Sequence, residues 1–194
     1  MPSPKSIEVS KMEKPVSGWV NRMGHVDAVY CLRLNRWIRD ALVHRFFSAI
    51  SRLGDGVLWY ALMLLFPVFL GARGFVVTAL MILMAAWGVY IYRVIKKRSM
   101  RPRPFVSYRC IQQGARTLDY YSFPSGHTMH AVGFAILLTY TVPMLGFVLI
   151  PFAALTGLAR VVLGLHYPSD VFMGATLGAV NGIVMLSLCS GLLQ

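Results

Sequence analysis

The chain has 194 residues, enough for one domain. It is 57% hydrophobic and 13% charged, where soluble domains run at about 45–50% and about 25%; that shift excludes an ordinary soluble protein and indicates an integral membrane protein. Lys and Arg number 19 against 7 Asp and Glu. Such a balance suits nucleic acid, anionic headgroups or a phosphate-bearing substrate, and the hydropathy selects the last two and sets nucleic acid aside.

Residues 1–25 read as a polar tail; the first twenty hold no apolar run long enough for a secretory signal. The remainder, 26–194, reads as one membrane domain: an amphipathic region at 26–53 and a transmembrane core at 54–194. In the amphipathic region Arg33, Arg36, Asp40, His44, Arg45 and Arg52 recur at helical spacing, with Tyr30, Leu34, Trp37, Ile38, Ala41 and Ile50 on the other side. A charge at the centre of a spanning helix costs about 2.5–3.5 kcal/mol. With Arg33, Arg36, Arg39, Asp40 and Arg45 so close together, an interfacial helix or helix pair is expected.

Beyond Gly54–Gly56 the chain turns apolar. Val57 to Leu70 is a first span, short against the ~20 residues usually needed. Gly71–Gly74 makes a tight connection, and Phe75 to Ile95 is the second span, ending in the interface anchors Tyr90, Tyr92 and Arg93. After a polar segment, Lys96 to Gly126, come a third span at His127–Val142, a fourth from about Met144 to Leu163 with a kink expected at Pro151, and a fifth from about Val171 to Leu193. Gly174, Gly178 and Gly182 share one face of the fifth span, as close helix packing in lipid requires. The fold class is therefore all-α: a membrane bundle of about five spans, or six if the N-terminal helices insert. Cys31, Cys110 and Cys189 have neither paired nor metal-type spacing and read as packing residues.

This topology puts Lys96–Gly126 and Gly164–Asp170 on the same membrane face, where ionisable residues are costly and functional by default. Three clusters lie there. In "KKRSMRPRP", Lys96, Lys97, Arg98, Arg101 and Arg103 exceed what a positive-inside flank needs, and Pro102 and Pro104 stiffen the chain beside the arginines. In "FPSGHTMHA", Ser125 and Gly126 open a helix whose free N–H groups suit an anion. His127 stands on its first turn, and His130, deeper, reads as a hydrogen-bonded core histidine. In "ARVVLGLHYPSD", Arg160 ends one span, His166 follows in the loop, and Asp170 opens the next. There a carboxylate is stabilised and can orient an imidazole. His127, His130, His166 and Asp170 would also serve as metal ligands, but the converging cations would repel an ion. The clusters read better as a phosphate site with an acid and a nucleophile.

The pattern resembles the type-2 phosphatidic-acid phosphatase superfamily, which also includes soluble bacterial acid phosphatases and vanadium haloperoxidases. That family carries Lys, six residues, Arg-Pro (here Lys96 and Arg103-Pro104); Pro-Ser-Gly-His (here Pro124 to His127); and Ser-Arg, five residues, His, three residues, Asp (here Arg160, His166 and Asp170). The one departure is Ala159 in place of Ser. The resemblance implies that His166 attacks phosphorus, Asp170 orients it and His127 protonates the leaving oxygen. It implies that Lys96, Arg103, Ser125, Gly126 and Arg160 hold the phosphoryl oxygens, without metal or cofactor. The implied substrate is a lipid phosphate presented from the bilayer: phosphatidylglycerophosphate, phosphatidate, undecaprenyl diphosphate or a lipid A phosphate. The expected location is a bacterial inner membrane. Transfer of the phosphoryl group to another lipid would use the same residues; a non-catalytic transporter or scaffold would not need them. Neither the facing of the site nor the oligomeric state follows from the residues.

Overall fold

The structure is a computed structural model that describes residues 18–117, 119–189 and 191, with side chains from residue 24 onward. Residues 1–17 of the polar tail lie outside this description. The helices are α1 (Gly18–Asn35), α2 (Ala41–Arg52), α3 (Leu58–Ser99), α4 (Pro104–Ser107), α5 (Gly126–Thr141), α6 (Gly146–Val162) and α7 (Pro168–Cys189). Among the described residues no strand is formed.

The amphipathic region is two helices. A short 3-10 turn, Arg36–Arg39, ends the first, and Asp40 starts the second by accepting from the amides of Leu42 and Val43. Helix α1 begins at Gly18, inside the stretch read from sequence as tail. Leu34, Ile38 and Ile50 pack inward, while Tyr30, Trp37, Leu42 and Phe46 stay exposed.

A π-helical turn, Leu53–Val57, joins α2 to α3. Within α3, Gly71 takes φ 53°, ψ −132°, which breaks the helix into two arms. The arms pack together: the Thr78 hydroxyl donates to the Met63 carbonyl at 2.9 Å. A Cβ on Gly74 would lie 2.0 Å from the Phe66 carbonyl oxygen, so only glycine fits that crossing. The short first span and tight connection read from sequence are this hairpin. Helix α6 is continuous across Pro151.

The bundle is arranged around α5, which buries ten of its sixteen residues. Trp59, Phe66, Val77, Met81 and Met84 of α3, Phe134, Leu137 and Leu138 of α5, and Leu149 and Phe152 of α6 form the main core. The outward faces are apolar too. Phe69, Phe75, Leu83 and Trp87 on α3, Phe147 and Ile150 on α6, and Phe172, Ile183 and Leu188 on α7 are all exposed. Water would penalise that surface; a hydrocarbon solvent would not. Three helical stretches, Ala41–Ser99, Pro143–Val162 and Pro168–Cys189, are long and apolar enough to cross a membrane. The chain is a membrane protein.

On α7 the buried residues are Asp170, Gly174, Gly178, Asn181 and Gly182; the three glycines face α5, and Asn181 donates to the Met84 carbonyl of α3 at 3.2 Å. A Cβ at Gly174 would meet the Ser125 carbonyl oxygen at 2.4 Å, and one at Gly178 the Met129 carbonyl oxygen at 2.3 Å. The glycine face thus packs within the domain, bringing the starts of α5 and α7 together. The Ser125 amide donates to the Asp170 carbonyl at 3.0 Å.

Candidate active site

The end of α3, the segment 100–125, the start of α5, the end of α6 and the loop before α7 converge at one end of the bundle. All eight residues singled out from sequence are gathered there. Lys96, Arg103, Gly126 and His127 line a cavity of about 230 Å³ together with Asp55, Asp119 and His130. Its other wall is apolar, with Trp59, Met63, Ala85, Val89 and Phe134. Ser125, Arg160, His166 and Asp170 lie beneath it, each no more than 1% exposed.

The nucleophile candidate His166 sits in a tightly pinned loop. Its amide and that of Leu165 donate to the Arg160 carbonyl, and the Gly114 amide donates to the Leu163 carbonyl. Gly164 adopts φ +71°, and a Cβ there would strike the Gln112 carbonyl oxygen at 2.6 Å, so the turn demands glycine. Asn35 at the end of α1 donates to the carbonyls of Gln112 and Val162, both at 2.9 Å, and accepts from the Gln112 amide at 2.8 Å. The amphipathic N-terminus is therefore part of the scaffold of the site.

His166 Nε2 faces Arg103 Nη1 at 3.3 Å, and Nδ1 lies 3.6 Å from Asp170 Oδ2, too far for a hydrogen bond. Burial, followed by the charges of Arg103, Arg160 and Lys96, holds the imidazole well below its ordinary pKa. This favours the neutral ring, whose Nε2 lone pair accepts from Arg103 Nη1. The Asp170 carboxylate is occupied elsewhere: it accepts from Arg101 Nη1 at 2.7 Å and from the Tyr167 amide at 2.8 Å. Arg101 also donates to Asp27 of α1 and to Ser169, both at 2.7 Å, and lies 4.1 Å over the Tyr167 ring. Asp27 closes this network by accepting from the Ser169 amide and hydroxyl.

The cavity side carries a second network. Asp119 accepts from Lys96 Nζ at 2.8 and 2.9 Å and from Arg103 Nη2 at 2.7 Å. Burial alone would raise its pKa; the hydrogen bonds and charges of Lys96 and Arg103 outweigh that and leave it below the usual carboxylate value. Asp55 pairs with His127 Nε2 and lies 3.6 Å from Arg160 Nη1. Arg160 Nη1 donates to Ser51 at 2.6 Å, while its Nε has no partner among the described residues. Ser125 caps α5: its hydroxyl accepts from the Thr128 amide and shares a 2.9 Å hydrogen bond with the Thr128 hydroxyl. Among the described residues His130 makes no hydrogen bond, unlike the bonded core histidine the sequence suggested. It stacks on Phe134 and meets the Tyr92 ring edge-on. Of the cysteines, Cys31 is buried beside Val161 and Tyr167 and Cys189 packs against the main core, but Cys110 is exposed.

Asp27, Asp55, Asp119 and Ser51 were not singled out from sequence as site residues, and Arg101, named there only within the basic cluster, binds Asp170 and Asp27. A usable signal existed for the acids. The chain has only 7, and of the five in the described residues four (Asp27, Asp55, Asp119, Asp170) meet here. In a membrane chain each such acid needs a reason.

The profile of the PAP2 superfamily matches residues 75–191, which is more than half of the chain. The chain belongs to that superfamily. Decaprenylphosphoryl-5-phosphoribose phosphatase of Mycobacterium tuberculosis is 36% identical over 99 residues, 50% of this chain and 53% of that protein. Undecaprenyl-diphosphatase BcrC of Bacillus subtilis is 32% identical over 97 residues, 50% of each. The match thus spans about half the length of these curated relatives. The fold resembles that of a transmembrane PAP2 type phosphatidylglycerolphosphate phosphatase from Bacillus subtilis, with a TM-score of 0.74, 23% identity and 88% of each chain covered. It also resembles Aquifex aeolicus LpxE, with a TM-score of 0.70, 28% identity, and 80% of this chain and 92% of that one covered.

Proposed function

We propose that the protein is a membrane-embedded phosphatase acting on the phosphomonoester or diphosphate of a lipid through a phosphohistidine. The observation that carries this reading is the clasp of Lys96 and Arg103 on one carboxylate. Two cations that hold a planar anion this closely, with Arg103 also touching His166, can hold a phosphoryl group in its place. The apolar wall of the cavity suits a substrate whose tail stays in the bilayer. That two curated relatives are named a decaprenylphosphoryl-5-phosphoribose phosphatase and an undecaprenyl-diphosphatase supports a lipid-linked phosphate as substrate. Matches in bacteria support a place in the inner membrane of a bacterium.

In this reading His166 Nε2 attacks phosphorus, and the bond between phosphorus and the ester oxygen breaks. His127 gives its proton to that oxygen. Lys96, Arg103, Arg160, the Ser125 hydroxyl and the Gly126 amide take the charge spread over the three phosphoryl oxygens. Water then attacks the phosphohistidine, its proton returns to His127, and the phosphorus–nitrogen bond breaks to release inorganic phosphate. Asp170, fixed by Arg101, steadies the imidazole at its far side. No step needs a metal or cofactor.

The test is phosphate release from lipid phosphates by purified His166→Ala. Loss of all turnover, together with loss of a trapped phosphohistidine, is expected; unchanged release would overturn the mechanism. Labelled phosphate appearing on a second lipid in place of free phosphate would identify a phosphotransferase using the same intermediate.

A further inference from the structure

The carboxylate of Asp55 lines the cavity and pairs with His127, the candidate acid for the leaving oxygen. Resting on the phosphatase reading above, we propose that Asp55 selects the leaving group: it accepts a neutral alcohol and disfavours a leaving phosphate, tuning the site to lipid phosphomonoesters over lipid diphosphates.

Asp55 is held in place by its turn. Gly56 takes φ +134°, and a Cβ there would collide with the Tyr60 ring at 2.7 Å; a Cβ on Gly54 would press on Thr156 at 3.1 Å. Between these two close positions the Asp55 side chain, 38% exposed, faces the cavity. It pairs with His127 Nε2, the nitrogen placed to protonate the leaving oxygen. Arg160 is 3.6 Å away, but its Nη1 is committed to Ser51. Lys96 and Arg103 lie with Asp119 instead. Beyond the ester oxygen the cavity offers a carboxylate and the rings of Trp59 and Tyr60.

The two substrate types differ only here. When a monoester is cleaved, the departing oxygen takes the His127 proton and leaves as an uncharged alcohol. When a diphosphate is cleaved, the same bond breaks and the same proton moves, but a lipid monophosphate leaves. Its negative charge then faces Asp55 across a few ångströms in a partly water-excluded cavity, where like charges repel.

Farnesyl phosphate and farnesyl diphosphate share one tail and differ only in the leaving group, so they form the test pair, assayed with the full chain in detergent micelles. The intrinsic reactivity of the two substrates differs, so the readout is the change in their ratio of kcat/KM between variants. In Asp55→Asn the diphosphate-to-monophosphate ratio rises about tenfold, the scale of removing one like charge from a half-exposed site; Asp55→Glu keeps the original ratio. Tyr60→Lys, which adds a cation beside an intact Asp55, raises the same ratio and serves if Asp55→Asn does not fold. A ratio within twofold of the parent in the folded variants overturns the proposal while leaving the phosphatase reading intact. Turnover of both substrates by His166→Ala would instead remove the reading on which it rests.

Discussion

Arg101→Met probes the link between the N-terminal helix and the nucleophile. The side chain keeps an unbranched apolar stem and loses its charged guanidinium. Asp170, whose side chain is fully buried, then loses a 2.7 Å charge-assisted bond, and Asp27, 8% exposed, loses another. Removing one partner of a buried ion pair costs about 3–5 kcal/mol, because the remaining charge stays buried. Arg101 itself is 25% exposed, so water can partly replace it, and a loss of about 3 kcal/mol is expected. For a chain of this size each kcal/mol lowers the melting temperature by about 2–4 °C, giving a fall of about 6–12 °C by thermal unfolding in detergent. Phosphate release should fall about 10–100-fold, as when the partner that orients a reacting histidine is lost. Arg101→Lys should lie between, since a single ammonium cannot span Asp27 and Asp170 as the planar guanidinium does. In a double-mutant cycle, Arg101→Met with Asp170→Asn should cost less than the sum of the two changes. A melting temperature and kcat/KM unchanged in Arg101→Met would refute the claim that this network holds the site.

Two further outcomes follow from the same geometry. Asp119 competes with the phosphoryl group for Lys96 and Arg103, so Asp119→Asn should lower KM roughly fivefold, the equivalent of about 1 kcal/mol for a half-exposed pair. Inhibition by inorganic phosphate should tighten in step, and a KM that rises would show that Asp119 assists binding. The second concerns pH. His166 is held neutral in the fold, whereas the unfolded chain binds a proton there below about pH 6.5. Below that pH the unfolded state carries more protons, so stability rises with pH through this window and is lost on acidification. His166→Asn should therefore flatten the fall in melting temperature between pH 6.5 and 5, by up to about 1.4 kcal/mol per pH unit; parallel curves would count against a neutral, buried His166.

The apolar helices were legible because lipid exposure writes long apolar runs into a chain, and the breaks between them because glycine and proline interrupt them. Gly71 ends an arm of α3, and Pro143 opens the 3-10 turn before α6. The phosphate-site candidates were legible because their spacing lies within single segments. The acids that complete the site were not, because their partners lie far along the chain. Asp27 meets Arg101 and Ser169, and Asp55 meets His127 and Arg160. No periodicity within one helix encodes such a pairing. The N-terminal helices were read as a membrane-surface feature, yet Asn35 and Asp27 project from α1 into the loops around the nucleophile. A basic amphipathic pattern shows which face is polar, but not that the polar face packs on a site.

The exposure of the carboxylates suggests how the site balances charge before substrate arrives. Lys96, Arg103 and Arg160 are almost fully buried, and three unpaired cations in that position would be prohibitively costly. Asp119 and Asp55 offset them, and both are more than a third exposed; Asp55 is held by its turn and by His127, so on the proposed reading Asp119 is the acid free to yield when a phosphoryl group brings its own negative charge. Asp27 and Asp170 are nearly or fully buried and tied to Arg101, so they cannot. The four acids thus divide into a cavity pair, Asp119 and Asp55, beside the buried cations, and a buried pair, Asp27 and Asp170, tied to Arg101 at the loop that carries the histidine. Arg103 belongs to both halves: it grips Asp119 on the cavity side and touches His166 behind. On the proposed reading, displacement of Asp119 by substrate would also bring phosphorus up to His166.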